Sequence, residues 1–389
     1  MDTTPTPPGA IVIEGHVQGL SLARSLGEIG IPVYVVDIGN CIARHSRFTR
    51  KFFRCPDYKD DSFADFLVEL AKKENLNGWI LLPSNDHAVI TLSRNSKKLA
   101  PYYKMMVPDY DQIELIYNKE NLLKIAESLE IPIPDTYCFE TADVDGMKIN
   151  FPVITRGKHG LSFYRAIKTK AIFSENKSDL KNQLEYIQTK YDIKDTLTQT
   201  IIHTDDANKT ISFTAFCIDG KIKTFWMGAK IREHPIKFGT ATFAESVLEP
   251  EIVELADKLL VHLKYNGVCE IEFLKDPIDN KFKLIELNAR TWLWVGLAKE
   301  CGINYAVYIY NHLNNLPNNF PTNYTIGLKW RNELTDFVYS FTALRKRLFT
   351  FKTYLKQSSG KKVSALMYKG DNRPMYAYIS FIFYYLQRR

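Results

Sequence analysis

The sequence predicts an α/β domain, then an α+β region with antiparallel hairpins, then a basic C-terminal extension. Apolar runs alternate with segments of helical periodicity over roughly residues 10 to 112, which is typical of a doubly wound parallel sheet. After residue 150 the strand-like runs are paired across short turns. The last 70 of the 389 residues hold 13 Lys and Arg against three acidic residues, a net charge of +10.

The overall net charge of +7 therefore combines two different regions, since residues 1–319 sum to −3. A hydrophobic share of 45% and a charged share of 24% indicate a globular protein of two or three domains. The extension has three interpretations: it packs on the core, binds an anionic membrane surface, or holds a polyanionic substrate.

Several classes of function have no support in the sequence. No run approaches the ~18 apolar residues of a membrane-spanning helix, and the segment before Ile11 lacks the basic region of a signal peptide. The six cysteines are scattered without a CxxC motif, so we expect reduced thiols and a cytoplasmic location. No zinc, helix-turn-helix or RNA-recognition motif is present, so we expect no nucleic-acid partner.

The first elements form a βαβ unit. An apolar run at Ile11–Ile13 precedes Gly15-His-Val-Gln-Gly19, a helical pattern follows, and a second β-rich run ends at Asp37. The glycine spacing departs from the dinucleotide fingerprint G-x-G-x-x-G, so a dinucleotide site is a weak alternative. After a helix at 62–73 and a strand at 79–82, residues Ser84-Asn85-Asp86 stand at a strand's carboxyl end, where substrate contacts are expected.

The middle of the chain is predicted to contain a helix over 113–134 that ends at Ile131-Pro-Ile-Pro134, followed by strands and two helices. Predicted strands lie at 151–155, 197–202, 211–217, 222–227, 268–274 and 282–288. The two helices are predicted near 178–190 and 250–264.

The most informative segment is the hairpin from Val268 to Arg290. A turn centred near residue 279 pairs Glu272 with Glu286 and Glu270 with Asn288. Directly opposed carboxylates repel, so a divalent cation is a natural way to offset the repulsion. Oxygen ligands of this kind suit Mg²⁺, with Mn²⁺ as another possible ion. The competing interpretation is a solvated outer face with loosely spaced charges.

This hairpin resembles the metal-binding signature of the ATP-grasp superfamily, and the resemblance extends over roughly residues 10 to 319. It is closest to the carboxylate–amine ligases that resemble D-aspartate ligase and the carbamoyl phosphate synthase large chain. The resemblance implies that Glu272, Glu286 and Asn288 bind the metal. It further implies that Arg290 stabilises the phosphoryl group in transfer.

Other positions are similar to nucleotide-binding positions of the superfamily. Asn118-Lys119 resembles a segment whose lysine contacts phosphate. The resemblance also implies an adenine site at Gln199, Ile201 and Ile202, with Asp206 on the ribose hydroxyls. A plain turn is the alternative for Asp206.

The phosphate loop departs from the family pattern. Arg156 stands where a lysine is expected; it keeps the charge but changes the geometry. Only Gly157 and Gly160 remain of the glycine-rich loop. A second phosphate contact is predicted at Lys158 or Lys170, and the sequence does not decide between them. Lys170 is included among the predicted nucleotide-binding residues.

Lys230 and Arg232 have one residue between them, and alternate residues of a strand point to the same side, so a shared strand face is predicted. They are candidates for binding an acyl phosphate or a substrate carboxylate. A structural ion pair is the alternative.

The resemblance implies a Rossmann-like domain over 1–112 and ATP-grasp subdomains over 113–192 and 193–319, followed by the extension at 320–389. The expected activity is ATP-dependent joining of a carboxylate to an amine through an acyl phosphate, with release of ADP and phosphate. Expected substrates are small molecules such as amino acids or a cell-envelope precursor, and a homodimer and a peripheral membrane contact are open possibilities. A non-catalytic nucleotide-binding module and a dinucleotide-dependent oxidoreductase are the alternatives.

Overall fold

The computed structural model describes residues 7–203, 209–234, 239–348 and 350–386, which form three β-sheets with flanking helices. The first sheet is parallel and the other two are mainly antiparallel. The predicted order of an α/β domain followed by an α+β region is confirmed.

The N-terminal sheet has the strand order β3-β2-β1-β4-β5, and every neighbouring pair is parallel. Its strands are β1 (Ala10–Ile13), β2 (Val33–Asp37), β3 (Thr49–Arg54), β4 (Trp79–Pro83) and β5 (Tyr103–Met105). Its helices are α1 (Val17–Gly27), α2 (Ser62–Glu74), α3 (Asp86–Arg94) and α4 (Ser96–Leu99). The strand order reverses between β1 and β4, so the crevice at their carboxyl ends is where this kind of sheet binds ligands. Glu14 and Ser84–Asp86 lie at that edge.

The single helix expected over 113–134 is instead two helices, α5 (Tyr110–Tyr117) and α6 (Lys119–Ser128). Asn118 interrupts them: its backbone is extended, and its side-chain oxygen accepts hydrogen bonds from Glu120 N at 3.0 Å and Asn121 N at 3.3 Å. An asparagine side chain in this role caps a new helix. The break places Lys119 in the first turn of α6.

A small four-stranded sheet follows, in the order β6-β9-β7-β8. Its strands are β6 (Thr136–Tyr137), β7 (Val153–Gly157), β8 (Ile172–Ser174) and β9 (Thr196–Thr200), and its helices are α7 (Gly160–Ile167) and α8 (Lys177–Gln188). Leu180, Leu184 and Ile187 of α8 pack with Phe163 in a core of their own. Strand β9 belongs to this sheet, so the sheet continues past the predicted limit at residue 192.

The largest sheet has seven strands in the order β14-β13-β10-β11-β12-β15-β16. They are β10 (Ile211–Ile218), β11 (Lys221–His234), β12 (Thr240–Val247), β13 (Gly267–Lys275), β14 (Phe282–Asn288), β15 (Lys329–Arg331) and β16 (Lys362–Ser364). Three helices accompany it: α9 (Pro250–His262), α10 (Val295–Glu300) and α11 (Tyr305–Leu313). One core joins α5, α6 and α9 to this sheet, and another joins a tryptophan cluster to α1.

The C-terminal extension packs partly on the core, because β15 and β16 extend the large sheet. Three helices complete it: α12 (Glu333–Arg345), α13 (Phe351–Gln357) and α14 (Arg373–Leu386). No helix in the described part of the chain is long and apolar enough to cross a membrane. All six cysteines are free thiols, as expected.

A buried ion pair ties this extension to the first helix. Arg24 of α1 donates through Nε to Asp371 Oδ2 at 2.9 Å and through Nη2 to the carbonyl oxygens of Leu366 (2.8 Å) and Asp371 (2.9 Å). Asp371 also accepts hydrogen bonds from Ser46 Oγ and Arg47 N. The two charged groups are almost fully buried, so each depends on the other for compensation.

We expect Asp371→Ala to lower the free energy of unfolding by about 3 kcal/mol or more, because it leaves the Arg24 guanidinium buried without its counter-charge. Denaturant unfolding followed by circular dichroism measures this. Lys181→Ala is the matched control: its pair with Asp145 is exposed, so no measurable change is expected. A loss no greater than that of the control would show that the pair does not hold the extension in place.

Candidate active site

The carboxylate hairpin has the predicted register, with Glu270 opposite Asn288 and Glu272 opposite Glu286. Beyond Glu272 a β-bulge shifts the register, so that Phe273 pairs with Leu284. Glu270, Glu272 and Asn288 are buried. The interpretation as a solvated outer face is therefore wrong.

Two lysines from other elements neutralise the opposed carboxylates. Lys230 of β11 donates to Glu272 Oε1 at 2.6 Å, and Lys119 of α6 donates to Glu286 Oε2 at 3.4 Å. Burial alone would raise the pKa of Glu286, but the charges of Lys119, Arg156 and Lys230 outweigh it and lower that pKa to about 2. Glu286 is therefore an ionised carboxylate at neutral pH.

Glu270 lies at the back of the same face. It accepts a hydrogen bond from Ser212 Oγ at 2.8 Å and one from Asn288 Nδ2 at 3.2 Å. Burial and the nearby charge of Glu272 raise the pKa of Glu270 to about 7.

Arg156, at the edge of the small sheet, faces the same centre. Its Nη2 donates to the Gln199 side-chain oxygen and to the Ile285 carbonyl at 3.4 Å. Its Nε is buried and has no hydrogen-bond partner among the described residues. Burial lowers the pKa of this guanidinium, against the raising effect of Glu286 and Glu272. A buried, unpartnered donor on a cation suits an anionic ligand such as phosphate.

Arg290 connects the hairpin to the N-terminal domain. Its guanidinium makes a two-point ion pair with Asp86, at 2.7 Å and 3.1 Å, and Tyr117 Oη also donates to Asp86 at 3.0 Å. Nη2 lies 3.5 Å from Asn288 Oδ1. Burial would lower the pKa of Arg290, but Asp86 raises it, so the charge is retained. Asp86 therefore orients Arg290.

Glu14 is a site residue that sequence reasoning missed. It follows β1 with a left-handed backbone (φ 71°), which is uncommon for a residue with a side chain. Burial raises the pKa of Glu14 to about 7, against a hydrogen bond from Asn85 that lowers it. The available signal was an acidic residue at the carboxyl end of a buried strand, the same signal that indicated Ser84–Asp86.

The donor atoms of this centre fit Mg²⁺ in chemistry. Glu272 and Glu286 offer carboxylate oxygens, and Asn288 offers an amide oxygen; Mg²⁺ prefers such ligands and completes its shell with water and substrate phosphates. Asn288 Nδ2 donates to both Glu270 and Glu286, so its oxygen faces Arg290. No group of three or more His, Cys, Asp or Glu side chains is arranged for a metal within the described residues. The metal-ligand roles therefore remain predictions.

Arg232 does not belong to this centre, and the expected shared face with Lys230 is wrong. Lys230 pairs with Ala244 and Arg232 with Phe243, because a β-bulge lies between them and turns their side chains to opposite faces. Arg232 is buried and donates to both oxygens of Asp336 on α12, at 2.7 Å and 3.0 Å. The alternative interpretation, a structural ion pair, describes Arg232.

The remaining predicted positions divide into near and distant ones. Gln199 is buried beside Arg156 and donates to Thr136 Oγ1 at 2.9 Å. Ile202 is buried, and Ile201 donates its N–H to the Pro152 carbonyl at 3.0 Å. Lys170 is exposed in the turn before β8.

Lys158 and Asp206 are the last two predicted positions. Lys158 lies beside Lys119, the predicted phosphate contact: its carbonyl accepts a hydrogen bond from Lys119 N at 2.9 Å, and its Nζ lies 2.6 Å from Glu120. The geometry therefore favours Lys158 over Lys170. Asp206 lies outside the described residues.

Two residues of the Gly15–Gly19 turn, Gly15 and Gln18, form hydrogen bonds within the protein itself. Gly15 N donates to Asp37 Oδ2 at 2.8 Å, and Gln18 at the start of α1 donates to Thr291 O at 2.7 Å. Asp37, which would bind a ribose hydroxyl in a dinucleotide site, is therefore used internally. The geometry opposes a dinucleotide at this turn.

Comparisons with known proteins give a matching family model and a matching relative. A family model described as the carbamoyl-phosphate synthase L chain, ATP binding domain, matches residues 236–305, which include the carboxylate hairpin. The D-aspartate ligase of Enterococcus faecium (strain Aus0004) is 21% identical over 332 residues, covering 81% of this chain and 76% of that protein.

Solved structures of low sequence identity share the fold. The L-amino acid ligase of Bacillus licheniformis superposes with a TM-score of 0.59 at 15% identity, covering 80% of this chain and 75% of that one. The biotin carboxylase domain of the Hydrogenobacter thermophilus 2-oxoglutarate carboxylase, a dimer in complex with MgADP, ADP and bicarbonate, gives a TM-score of 0.62 at 15% identity, covering 82% and 73%.

The chain thus has the ATP-grasp fold, and the predicted resemblance is confirmed. More particularly, it is similar to the D-aspartate ligase of Enterococcus faecium, and the solved structures that share its fold include ATP-grasp ligases. These similarities support the prediction of an ATP-binding enzyme of the ligase class. Mn²⁺ has no support among these relatives.

We expect Arg156→Ala to weaken ATP binding roughly 10- to 100-fold, the range for losing charge-assisted hydrogen bonds. Isothermal titration with a non-hydrolysable ATP analogue measures the change. Lys170→Ala removes the same charge from an exposed position and should leave the affinity unaltered. Equal effects of the two substitutions would contradict the placement of the phosphate site.

Proposed function

We propose that this protein is an ATP-dependent carboxylate–amine ligase. One observation carries the proposal: two opposed carboxylates, the buried Glu272 and the half-buried Glu286, are surrounded by Lys119, Arg156 and Lys230, which come from three different elements. Buried acids with several cations around them suit a polyphosphate and its divalent cation. A purely structural face of a sheet has no use for so many compensated charges.

The proposed reaction has two steps. A substrate carboxylate oxygen attacks the γ-phosphorus of ATP, the bond to the bridging oxygen breaks, and ADP leaves with an acyl phosphate as the other product. A neutral amine then attacks the acyl carbon, phosphate departs with the bonding electrons, and the amine proton is lost to solvent or to a nearby base. The product is an amide, and no side-chain nucleophile is required.

In this proposal the residues of the site act by positioning and by neutralising charge. Lys119 and Arg156 hold the phosphates, and Lys230 lies where an acyl phosphate or substrate carboxylate would enter. Arg290, oriented by Asp86, stabilises the phosphoryl group in transfer. Gln199, Ile201 and Ile202 receive the adenine, and the predicted role of Asp206 at the ribose remains part of the proposal.

Glu272, Glu286 and Asn288 are proposed to hold Mg²⁺, which neutralises phosphate charge when bound. Asn288 must rotate its amide to present the oxygen. Chelation with EDTA should therefore abolish turnover and added Mg²⁺ should restore it.

The substrates are proposed to be small molecules of the amino acid class, because the relatives include ligases named for D-aspartate and L-amino acids. Glu14 lies at the same crevice as Arg290 and supplies an acidic group for recognising an ammonium. A cell-envelope precursor as the second substrate and a homodimer remain proposals.

We expect ADP and phosphate to be released only when a carboxylate and an amine are both supplied. Coupled assays over amino acid pairs measure ADP, and hydroxylamine in place of the amine should trap the acyl phosphate as a hydroxamate. AMP and pyrophosphate as products would contradict this chemistry. ATP binding without turnover of any pair would favour the non-catalytic module.

We expect Glu286→Gln to lower kcat at least about 100-fold, since loss of metal-centred charge stabilisation is worth several kcal/mol in the transition state. Glu254→Gln on the exposed side of α9 is the matched control and should retain full activity. Unchanged kcat in Glu286→Gln would show that the hairpin is not the catalytic centre. Calorimetry with NAD(P) tests the oxidoreductase alternative. Because the Gly15–Gly19 turn forms hydrogen bonds within the protein, we expect no binding; measurable binding would favour that alternative.

A further inference from the structure

Helix α12 has an inverted distribution of side chains. Its buried positions are Asp336, Ser340 and Ala343, which are polar or small, whereas Phe337 and Phe341 are 64% and 61% exposed. The two exposed phenylalanines stack on one another with ring centroids 6.4 Å apart. A surface helix normally buries its large apolar residues and exposes its polar ones. The exposed apolar side of α12 therefore indicates a contact with something other than water.

The neighbouring helix α13 continues this surface. Arg232 holds both helices: it pairs with Asp336 of α12, donates to Gln357 of α13 at 3.0 Å, and lies 5.3 Å from the ring centroid of Tyr354. The two helices are therefore neighbours, and we call their outer sides together, with the segment that joins them, the α12–α13 face. Its large exposed apolar residues are Phe337, Val338, Phe341, Leu348, Phe351 and Leu355.

The same segment is strongly basic. Residues 337–370 contain eight Lys and Arg and no acidic residue. Arg345 ends α12, Lys346 and Arg347 follow it, and Lys352 lies on α13; all four side chains are exposed. Aromatic and aliphatic side chains with a surrounding belt of basic ones are the composition of a segment that lies in a membrane interface.

We propose that the α12–α13 face docks the protein on an anionic lipid bilayer. The positive charges meet the phosphate and carboxylate headgroups, and the exposed phenylalanines enter the boundary between headgroups and acyl chains. A symmetric dimer through this face would place the same basic residues against each other, which is unfavourable. The proposal concerns a surface and does not depend on the proposed ligase activity.

Vesicle co-sedimentation of the full chain tests the proposal, with vesicles of phosphatidylcholine alone and with about one third phosphatidylglycerol. Binding is expected only to the anionic vesicles, and it should weaken as salt is raised. The charge variant Arg345→Gln/Lys346→Gln/Arg347→Gln should bind about 100-fold more weakly, at about fivefold for each basic residue. The apolar variant Phe337→Ser/Phe341→Ser should lose at least about tenfold.

Two control variants match these changes elsewhere on the surface. Lys72→Gln/Lys73→Gln/Lys97→Gln removes three exposed charges from the N-terminal domain, and Val261→Ser/Ile278→Ser removes two exposed apolar side chains. Both should bind vesicles like the unaltered protein. All substituted side chains are exposed, so thermal midpoints should stay close to that of the unaltered protein.

Three outcomes would overturn the proposal. One is no binding to anionic vesicles. Another is binding that the control variants reduce as much as the face variants. The third is concentration-dependent self-association, seen by sedimentation velocity, that Phe337→Ser/Phe341→Ser abolishes, because the occupant would then be a second copy.

Discussion

The repulsion between Glu272 and Glu286 is the constraint on which the rest of the structure depends. The two carboxylates are opposed on neighbouring strands, with Glu272 buried and Glu286 half-buried, which is tolerable only with cations close by. Those cations come from β11, from α6 and from the small sheet, in Lys230, Lys119 and Arg156. The pairing of these cations with Glu272 and Glu286 therefore connects the large sheet, helix α6 and the small sheet at one site.

This arrangement also explains how a site can be stable without ligand and still be ready for one. Under the proposed function, a nucleotide offers its phosphates to the same basic groups that balance the acids, and the acids become available to a divalent cation. Each side exchanges one ionic partner for another, so no buried charge is left uncompensated. The desolvation penalty of the buried charges is therefore offset by ion pairs both in the empty and in the occupied site.

The sequence was sufficient for the hairpin and insufficient for the features that depend on local irregularity. Period-2 alternation and a short turn determined that Glu272 faces Glu286. The same alternation failed at Arg232, because one extra residue in β11 turns the side chain to the other face, and such bulges have no reliable signal in one sequence. Asn118 divided an expected single helix for a related reason: its side chain competes with the backbone for hydrogen bonds.

The buried pair between Arg24 and Asp371 has a consequence for how the chain becomes folded during synthesis. Domains generally begin to fold in the order in which they leave the ribosome. Helix α1 emerges early, yet its arginine needs acceptors from residues 365, 366 and 371, more than 300 residues later. Until those residues emerge, the side of α1 that carries Arg24 remains exposed to water. The final packing of the N-terminal domain is therefore among the last events of folding.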